Sequence, residues 1–145
     1  MFHRILIPVD GSPTSTKALV AGLQLARESG GRVRLLHFLD DMPYLTGFEY
    51  SGELIRQTRS HAEASLKEAM AVAESAGVPA DLRLVEGLGQ RLGEVVAQEA
   101  RAFEADLVVV GTHGRRGVGR VLLGSGAEEV LRLAPVPVLA VRSEG

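Results

Sequence analysis

The feature of this sequence that most constrains its fold is a regular alternation of short apolar runs with longer segments of helical periodicity. Each run is five or six residues long, and most are almost continuous, which is typical of strands buried on both faces of a sheet. The intervening segments carry apolar residues every three or four positions, which predicts amphipathic helices. The predicted strands are Ile5–Val9, Val33–Phe38, Asp81–Val85, Asp106–Gly111 and Val136–Val141.

This alternation predicts an α/β fold with an open, five-stranded parallel sheet and helices on both of its faces. The fourth run is the most apolar and is expected in the centre of the sheet. The third run alternates apolar and polar residues, and the fifth contains Pro137, so both are expected at edges. Because an apolar edge strand invites pairing, a second copy of the chain is expected to cover Val136–Val141.

Two helix starts can be predicted from capping residues. Ser12 followed by Pro13 is the pattern of an N-cap and a first helical residue. Ser125, with Glu128 three residues later, has the pattern of a capping box, which predicts that Ser125 caps the last helix. A long helix predicted over 53–76 is expected to turn Leu54 toward the sheet together with other apolar residues.

Composition limits the class of protein. The 145 residues are the length of one domain, taken as 1–145, and an apolar content of 46% is enough to fill a core. A net charge of −2 offers no basic face to nucleic acid, and the absence of cysteine excludes disulfides and thiolate sites. No run of about 18 apolar residues is present, so no membrane span is expected. The opening lacks a signal-peptide pattern, so a cytoplasmic location is expected.

The segment after the fourth strand predicts a ligand site. It reads VGTHGRRGVGRVLLGSGA from Val110 to Ala127, and its glycines follow the spacing G-x2-G-x9-G-S between Gly111 and Ser125. Glycines let backbone N–H groups approach an anion closely, and the free N–H groups of a helix start point at it. This segment therefore predicts a phosphate-binding site.

Several other classes of site are excluded. The stretch from Gly119 to Ser125 lacks the lysine of a Walker A loop, and the turn after the first strand lacks the glycines of the dinucleotide fingerprint. No G-x-S-x-G nucleophile elbow is present, and the four histidines lack zinc-type spacing. We expect the ligand beyond the carboxyl ends of strands one and four, where Val9-Asp10 and Val110-Gly111 meet if these strands are neighbours.

Together these segments resemble the universal stress protein family over nearly the whole chain. The resemblance is carried by the opening ILIPVDGS, the second strand LLHF, the GTHG loop with its G-x2-G-x9-G-S spacing, and the closing PVPVLAV. Within that family the glycine motif marks the branch that binds ATP. The resemblance implies a Rossmann-like sheet in the order 3-2-1-4-5 and a homodimer through the last strand, Val136–Val141.

The resemblance also implies which residues hold the nucleotide. The end of the first strand lines the adenine and ribose, and the backbone at the end of the second strand reads the adenine edge. The glycine loop contacts the ribose and the first phosphate, and the start of the last helix cradles the phosphates, with the Ser125 hydroxyl donating to an oxygen. The residues at these positions are Pro8, Val9, Asp10, His37, Phe38, Gly111, Thr112, His113, Gly114, Arg115, Arg116, Gly117, Gly124, Ser125 and Gly126.

Some of these residues have simpler alternative roles. Asp10 and Ser125 can serve only as helix caps. His113 can be a polar loop residue, and Arg115 and Arg116 either pair with phosphates or lie on a solvated surface. The implied ligand is ATP, with or without Mg²⁺ or Mn²⁺, and the sequence assigns no metal ligands.

One position departs from the family. Members often carry a β-branched apolar residue where Gly126 stands, so glycine is expected to widen the phosphate cradle and loosen the helix start. The leading prediction is a stress-response regulatory protein that binds ATP. Because the Walker lysine is missing, catalysis is expected to be slow or absent. The alternatives are a weak ATPase or autophosphorylating enzyme, a protein that binds AMP or a cyclic nucleotide, and a dimer module that binds none.

Overall fold

The computed structural model describes residues 1–40, 52–87, 89–112 and 124–142. Its strands form one parallel sheet in the order β3-β2-β1-β4-β5, which confirms the predicted α/β fold and strand order. The strands are β1 (Arg4–Pro8), β2 (Arg32–Asp40), β3 (Ala80–Gly87), β4 (Leu107–Gly111) and β5 (Val138–Val141). The helices of the described ranges are α1 (Pro13–Ser29), α2 (Gly52–Ser75), α3 (Leu92–Phe103) and α4 (Ser125–Leu133).

The helices divide between the two faces of the sheet. α1 and α2 pack on one face against a core that includes Ile5 and Ile7, and α3 and α4 pack on the other against a core that includes Leu6. Successive strand side chains point to opposite faces, so a strand covered on both sides has to be apolar throughout. All three of these β1 side chains are fully buried. Within the described part of the chain, no helix has the length and apolarity needed to cross a membrane.

The two edge strands of the sheet are β3 and β5, as predicted, and they differ in charge. β3 carries Asp81, Arg83 and Glu86, whereas β5 has the sequence VLAV and leaves Leu139 39% exposed. Charged side chains on an edge discourage pairing with another sheet. Pro137 lies just before β5 rather than inside it. The middle strand of the sheet is β1, and β4 is an interior strand between β1 and β5.

Two predictions about helix residues are wrong. α4 begins at Ser125 itself, and its N-cap is Gly124, which has the extended backbone of a cap and makes no side-chain cap hydrogen bond. The predicted capping box through Ser125 and Glu128 is therefore absent. Leu54 is exposed because the buried face of α2 begins only at Ala62. A helix of this length spans about 36 Å, which exceeds the strands that it covers.

Side chains form hydrogen bonds with backbone groups near the amino ends of the central strands. The Asp106 carboxylate accepts the N–H of His3 at 2.9 Å and the N–H of Arg4 at 3.0 Å. The Arg4 guanidinium donates to the Phe103 carbonyl at 2.7 Å and lies 4.3 Å from the centre of the Phe103 ring. Arg34 lies 4.5 Å from the same ring, so two cations contact one aromatic side chain that is itself buried.

An ion-pair network continues from this aromatic contact. Arg34 donates to both carboxylate oxygens of Asp81, at 2.8 and 3.1 Å, and this hydrogen bonding raises the pKa of Arg34 above its ordinary value. Arg83 donates to Glu99 at 3.1 Å. The network joins β2, β3 and α3, so this side of the sheet is held by polar contacts as well as by the core.

Candidate functional site

The end of β1 leads into α1 through a turn that is stabilised by side chains. The Asp10 carboxylate accepts the N–H of Ser12 at 2.9 Å, and the Ser15 hydroxyl accepts the N–H of Asp10 at 3.0 Å. Ser12 is the N-cap of α1, as predicted, and its hydroxyl accepts the N–H of Ser15 at 3.1 Å. Capping is therefore the role of Ser12, and Asp10 supports the turn with one carboxylate oxygen. The Asp10 carboxylate makes no further hydrogen bond within the described ranges.

The carboxyl end of β2 lies beside this turn. The β1–β2 register ends with Pro8 opposite Leu36, and the N–H of Val9 donates to the carbonyl of Leu36 at 2.8 Å. His37 and Phe38 follow directly and are half-buried. The two segments that the resemblance assigns to the adenine side are therefore neighbours at one edge of the sheet.

The carboxyl end of β4 approaches the start of α1 closely. A Cβ atom at Gly111 would lie 2.7 Å from Cγ2 of Thr14 and 3.0 Å from its carbonyl oxygen, so only glycine fits there without a shift. Thr112, the next residue, donates its N–H to the carbonyl of Val141 at 2.9 Å and accepts the N–H of Gly124. Thr112 thus connects the end of β4 to the residue that caps α4.

The Thr112 side chain has an unusual environment. The residue is 5% exposed, and its hydroxyl oxygen is buried without a hydrogen-bond partner among the residues that the structure describes. A buried hydroxyl that lacks a partner destabilises the fold by about 1–3 kcal/mol, so such groups are rare and often functional. The hydroxyl marks a polar position between the end of β4 and the start of α4.

The helix starts at this end of the sheet differ in how their N–H groups are satisfied. The Ser12 hydroxyl caps α1, and the Glu129 carboxylate accepts the N–H of Gly93 in the first turn of α3 at 2.7 Å. At α4 the cap residue is Gly124, and no side-chain cap hydrogen bond is made. Gly124 has no side chain to accept the first N–H groups of α4, and helix starts attract anions, so the start of α4 is the candidate anion position of this edge.

α3 and α4 approach each other closely beside that position. A Cβ at Gly93 would lie 2.9 Å from the Glu129 carbonyl oxygen, and a Cβ at Gly126 would lie 3.1 Å from Cδ2 of Leu92. The space left by the absent side chain of Gly126 is thus bounded by α3. The positions of Leu92 and Glu129 beside the start of α4 depend on a contact between two helices, which no local sequence motif signals.

The structure brings together most of the predicted site. The ends of β1, β2 and β4 and the start of α4 lie at the carboxyl edge, as the parallel strand order requires. The loop residues His113, Gly114, Arg115, Arg116 and Gly117 lie outside the described residues. Among the described residues, no group of three or more His, Asp or Glu side chains could hold a metal ion.

The strand order defines a doubly wound α/β protein, a class in which ligands bind where the strand order reverses. A model of the universal stress protein family matches residues 1–142. The universal stress protein in the QAH/OAS sulfhydrylase 3'region of Thermus aquaticus is 36% identical over 143 residues, which cover 98% of this chain and 100% of that protein. Universal stress protein MJ0531 of Methanocaldococcus jannaschii is 33% identical over 144 residues, covering 98% and 83%. The chain belongs to the universal stress protein family.

Solved structures agree with this assignment. The hypothetical protein MJ0577 superposes with a TM-score of 0.83 at 26% identity, over 100% of this chain and 99% of that one. A universal stress protein in complex with cAMP has a TM-score of 0.71 at 25% identity, over 99% and 98%. The Archaeoglobus fulgidus protein in complex with dAMP has a TM-score of 0.74 at 21% identity, over 96% and 97%, and shares the fold.

Proposed function

We propose that this chain is a single-domain regulatory protein of the stress response that binds ATP at the carboxyl ends of β1 and β4. The observation that carries this proposal is the buried Thr112 hydroxyl, which has no partner among the described residues and lies next to the uncapped start of α4. A ligand oxygen placed there would satisfy both groups. A cytoplasmic location and the absence of a nucleic-acid partner are part of the proposal.

The chemistry of the edge fits an adenine nucleotide. The N–H groups at the start of α4, which the N-cap Gly124 cannot satisfy with a side chain, suit a phosphate, and the exposed Ser125 is the first residue of that helix. Asp10 offers a carboxylate to a ribose hydroxyl, and the ends of β1 and β2 offer backbone groups to a base. The complexes of structural relatives with cAMP and dAMP support an adenine nucleotide as the class of ligand.

Binding, rather than turnover, is the proposed activity. Phosphoryl transfer needs a lysine, arginine or metal to stabilise the transition state, together with an oriented nucleophile. The Walker lysine is missing from the glycine loop. A Mg²⁺ or Mn²⁺ ion would therefore enter bound to the phosphates of ATP, and no protein residue is assigned to hold it.

The direct test is to identify the ligand. Protein purified under native conditions is denatured, and the released small molecules are analysed by mass spectrometry. ATP or another adenine nucleotide in an amount comparable to that of the protein supports the proposal. If no nucleotide is released and calorimetry of the emptied protein detects no binding of ATP, AMP or cAMP, the proposal is wrong.

A matched pair of variants places the ligand. Thr112→Val keeps the shape of the side chain and removes the buried hydroxyl, so ATP affinity should fall by about tenfold, the effect of one lost hydrogen bond in a buried site. Thr58→Val makes the same change on α2 and should leave ATP affinity unchanged. The Thr58 hydroxyl donates to the Leu54 carbonyl at 2.8 Å. Equal affinities of the two variants would move the ligand away from Thr112.

We also propose that β5 joins two copies of the chain into a homodimer. The outer edge of β5 carries no charge, and Leu131 and Leu133 of α4 are exposed together with Leu139. Leu139→Glu should yield monomers in light scattering, whereas Leu82→Glu on the opposite edge strand, where Leu82 is 41% exposed, should not. A monomeric wild-type protein, or a dimer unaffected by Leu139→Glu, would contradict this part.

A further inference from the structure

The starts of α3 and α4 form a pair at the carboxyl edge of the sheet. Leu92, the first residue of α3, lies beside Gly126, the second residue of α4, where a Cβ would be 3.1 Å from Cδ2 of Leu92. The Glu129 carboxylate accepts the N–H of Gly93 at 2.7 Å. The residue that precedes α3 is therefore held next to the helix start that we propose binds phosphate.

That residue is Arg91, the N-cap of α3. Its side chain makes no cap hydrogen bond, and its guanidinium Nη1 lies 3.3 Å from Oε2 of Glu129. Helical side chains lean toward the N-terminus of their own helix, so the Glu129 carboxylate, and Arg91 with it, lies toward the start of α4. Arg91 is 71% exposed and Glu129 is 12% exposed, so the cation is the outer member of the pair.

We propose that Arg91 binds the second or third phosphate of the nucleotide and makes the site prefer ATP to AMP. This inference rests on the proposed function. A single helix start has N–H groups for about one phosphate group, so the added charge of a triphosphate needs another cation. A guanidinium pairs well with phosphate oxygens through charge-assisted hydrogen bonds.

The exchange of Glu129 for a phosphate as the partner of Arg91 requires little free energy. An exposed ion pair contributes only about 0–1 kcal/mol, so Arg91 can leave it for a phosphate. Glu129 does not become isolated when Arg91 moves, because it keeps the hydrogen bond from the N–H of Gly93. Glu129 therefore competes with the nucleotide for Arg91, and it also repels the phosphates through its own charge.

The first test compares two arginines of the same helix. Arg91→Ala should weaken ATP binding by about fivefold, as expected for one exposed charge pair, and should change AMP binding by less than twofold. Arg101→Ala removes the same charge from an exposed position in the last turn of α3, at the opposite end of the sheet, and should change neither. Both affinities are measured by calorimetry at fixed ionic strength, because salt screens such pairs.

The second test uses an expected gain of affinity. Glu129→Gln keeps an oxygen that can accept the Gly93 N–H and removes the charge that competes for Arg91, so ATP affinity should rise by about threefold while AMP affinity changes less. A purely structural role of Glu129 would make the same variant bind more weakly. Thermal unfolding of each variant shows that the fold is retained.

The outcomes separate this inference from the proposed function. If wild-type protein binds ATP, and Arg91→Ala weakens ATP and AMP equally or neither, Arg91 does not select for phosphate number and the inference is overturned. If wild-type protein binds no adenine nucleotide, the proposed function itself fails. A loss confined to ATP in Arg91→Ala, together with a gain in Glu129→Gln, supports the inference.

Discussion

The two ends of the sheet are organised in opposite ways. At the amino ends, Asp106 accepts two backbone N–H groups, and Phe103 is contacted by the guanidinium groups of Arg4 and Arg34. At the carboxyl ends, the Thr112 hydroxyl is buried without a partner among the described residues, and the N-cap residue of α4 is a glycine, which has no side chain to accept an N–H. At the amino ends side chains satisfy backbone N–H groups of the neighbouring segments, whereas at the carboxyl end of β4 a buried hydroxyl has no partner among the described residues.

This difference shows how one domain combines stability with a binding site. In open α/β sheets ligands bind beyond the carboxyl ends of the strands, so an unpartnered polar group there fits the proposed site. The amino ends have no such task and can be closed by side chains. Loss of the amino-end side-chain contacts should therefore lower stability, whereas removal of the unpartnered hydroxyl at the carboxyl end should mainly lower affinity for the proposed ligand.

The largest expected effect is at the amino end. Phe103→Ala removes a fully buried ring and both of its contacts with arginine, so the free energy of unfolding should fall by about 3–5 kcal/mol. Urea unfolding measures the loss. Phe103→Leu retains most of the volume and should lose clearly less. A loss below about 1 kcal/mol for the alanine variant would show that this cluster is not a stability centre.

A smaller loss is expected where α1 meets β4. Gly111→Ala places a Cβ 2.7 Å from Cγ2 of Thr14 and 3.0 Å from its backbone carbonyl, so α1 must shift, and the free energy of unfolding should fall by about 1–3 kcal/mol. Gly52→Ala is the control, because its Cβ would meet Arg56 at an ordinary 3.6 Å. Equal stability of the two variants would mean that the close approach at Gly111 imposes no constraint.

The smallest expected change in stability has the opposite sign. Thr112→Val removes a buried hydroxyl that has no partner among the described residues, so without nucleotide the melting temperature should stay unchanged or rise by about 3 °C. Calorimetric unfolding of emptied protein measures this, with Thr58→Val as the matched variant. A marked loss of stability would show that the hydroxyl supports the fold, which would remove the contrast between the two ends.

Much of the architecture could be predicted from the sequence, because it depends on local patterns. The apolar runs predicted five strands and their positions along the chain. Ser12 with Pro13 correctly predicted the start of α1. The strand order followed from the resemblance, and the sheet confirms it. The prediction that Ser125 is the cap failed by one residue, because Gly124 has the extended cap conformation and Ser125 is already helical.

The features that could not be predicted depend on contacts between distant segments. The Glu129 carboxylate reaches Gly93, 36 residues away, and nothing in either local sequence indicates the pair. The backbone hydrogen bonds of Thr112 likewise join it to β5 and to the residue before α4, which are distant in sequence. For the same reason Leu54 fits a helical stripe and yet is exposed, because the stripe does not show at which residue the buried face of α2 begins.

The central position of β1 also constrains how the chain can fold during its synthesis. β1 pairs with β2 soon after both have been made, but its other neighbour is β4, where Ile5 lies opposite Leu107 and Asp106 follows Arg4 by 102 residues. At about 5–20 residues per second, the ribosome needs roughly 5–20 seconds to make the intervening chain. One side of the most buried strand therefore has to remain unpaired until β4 has been made.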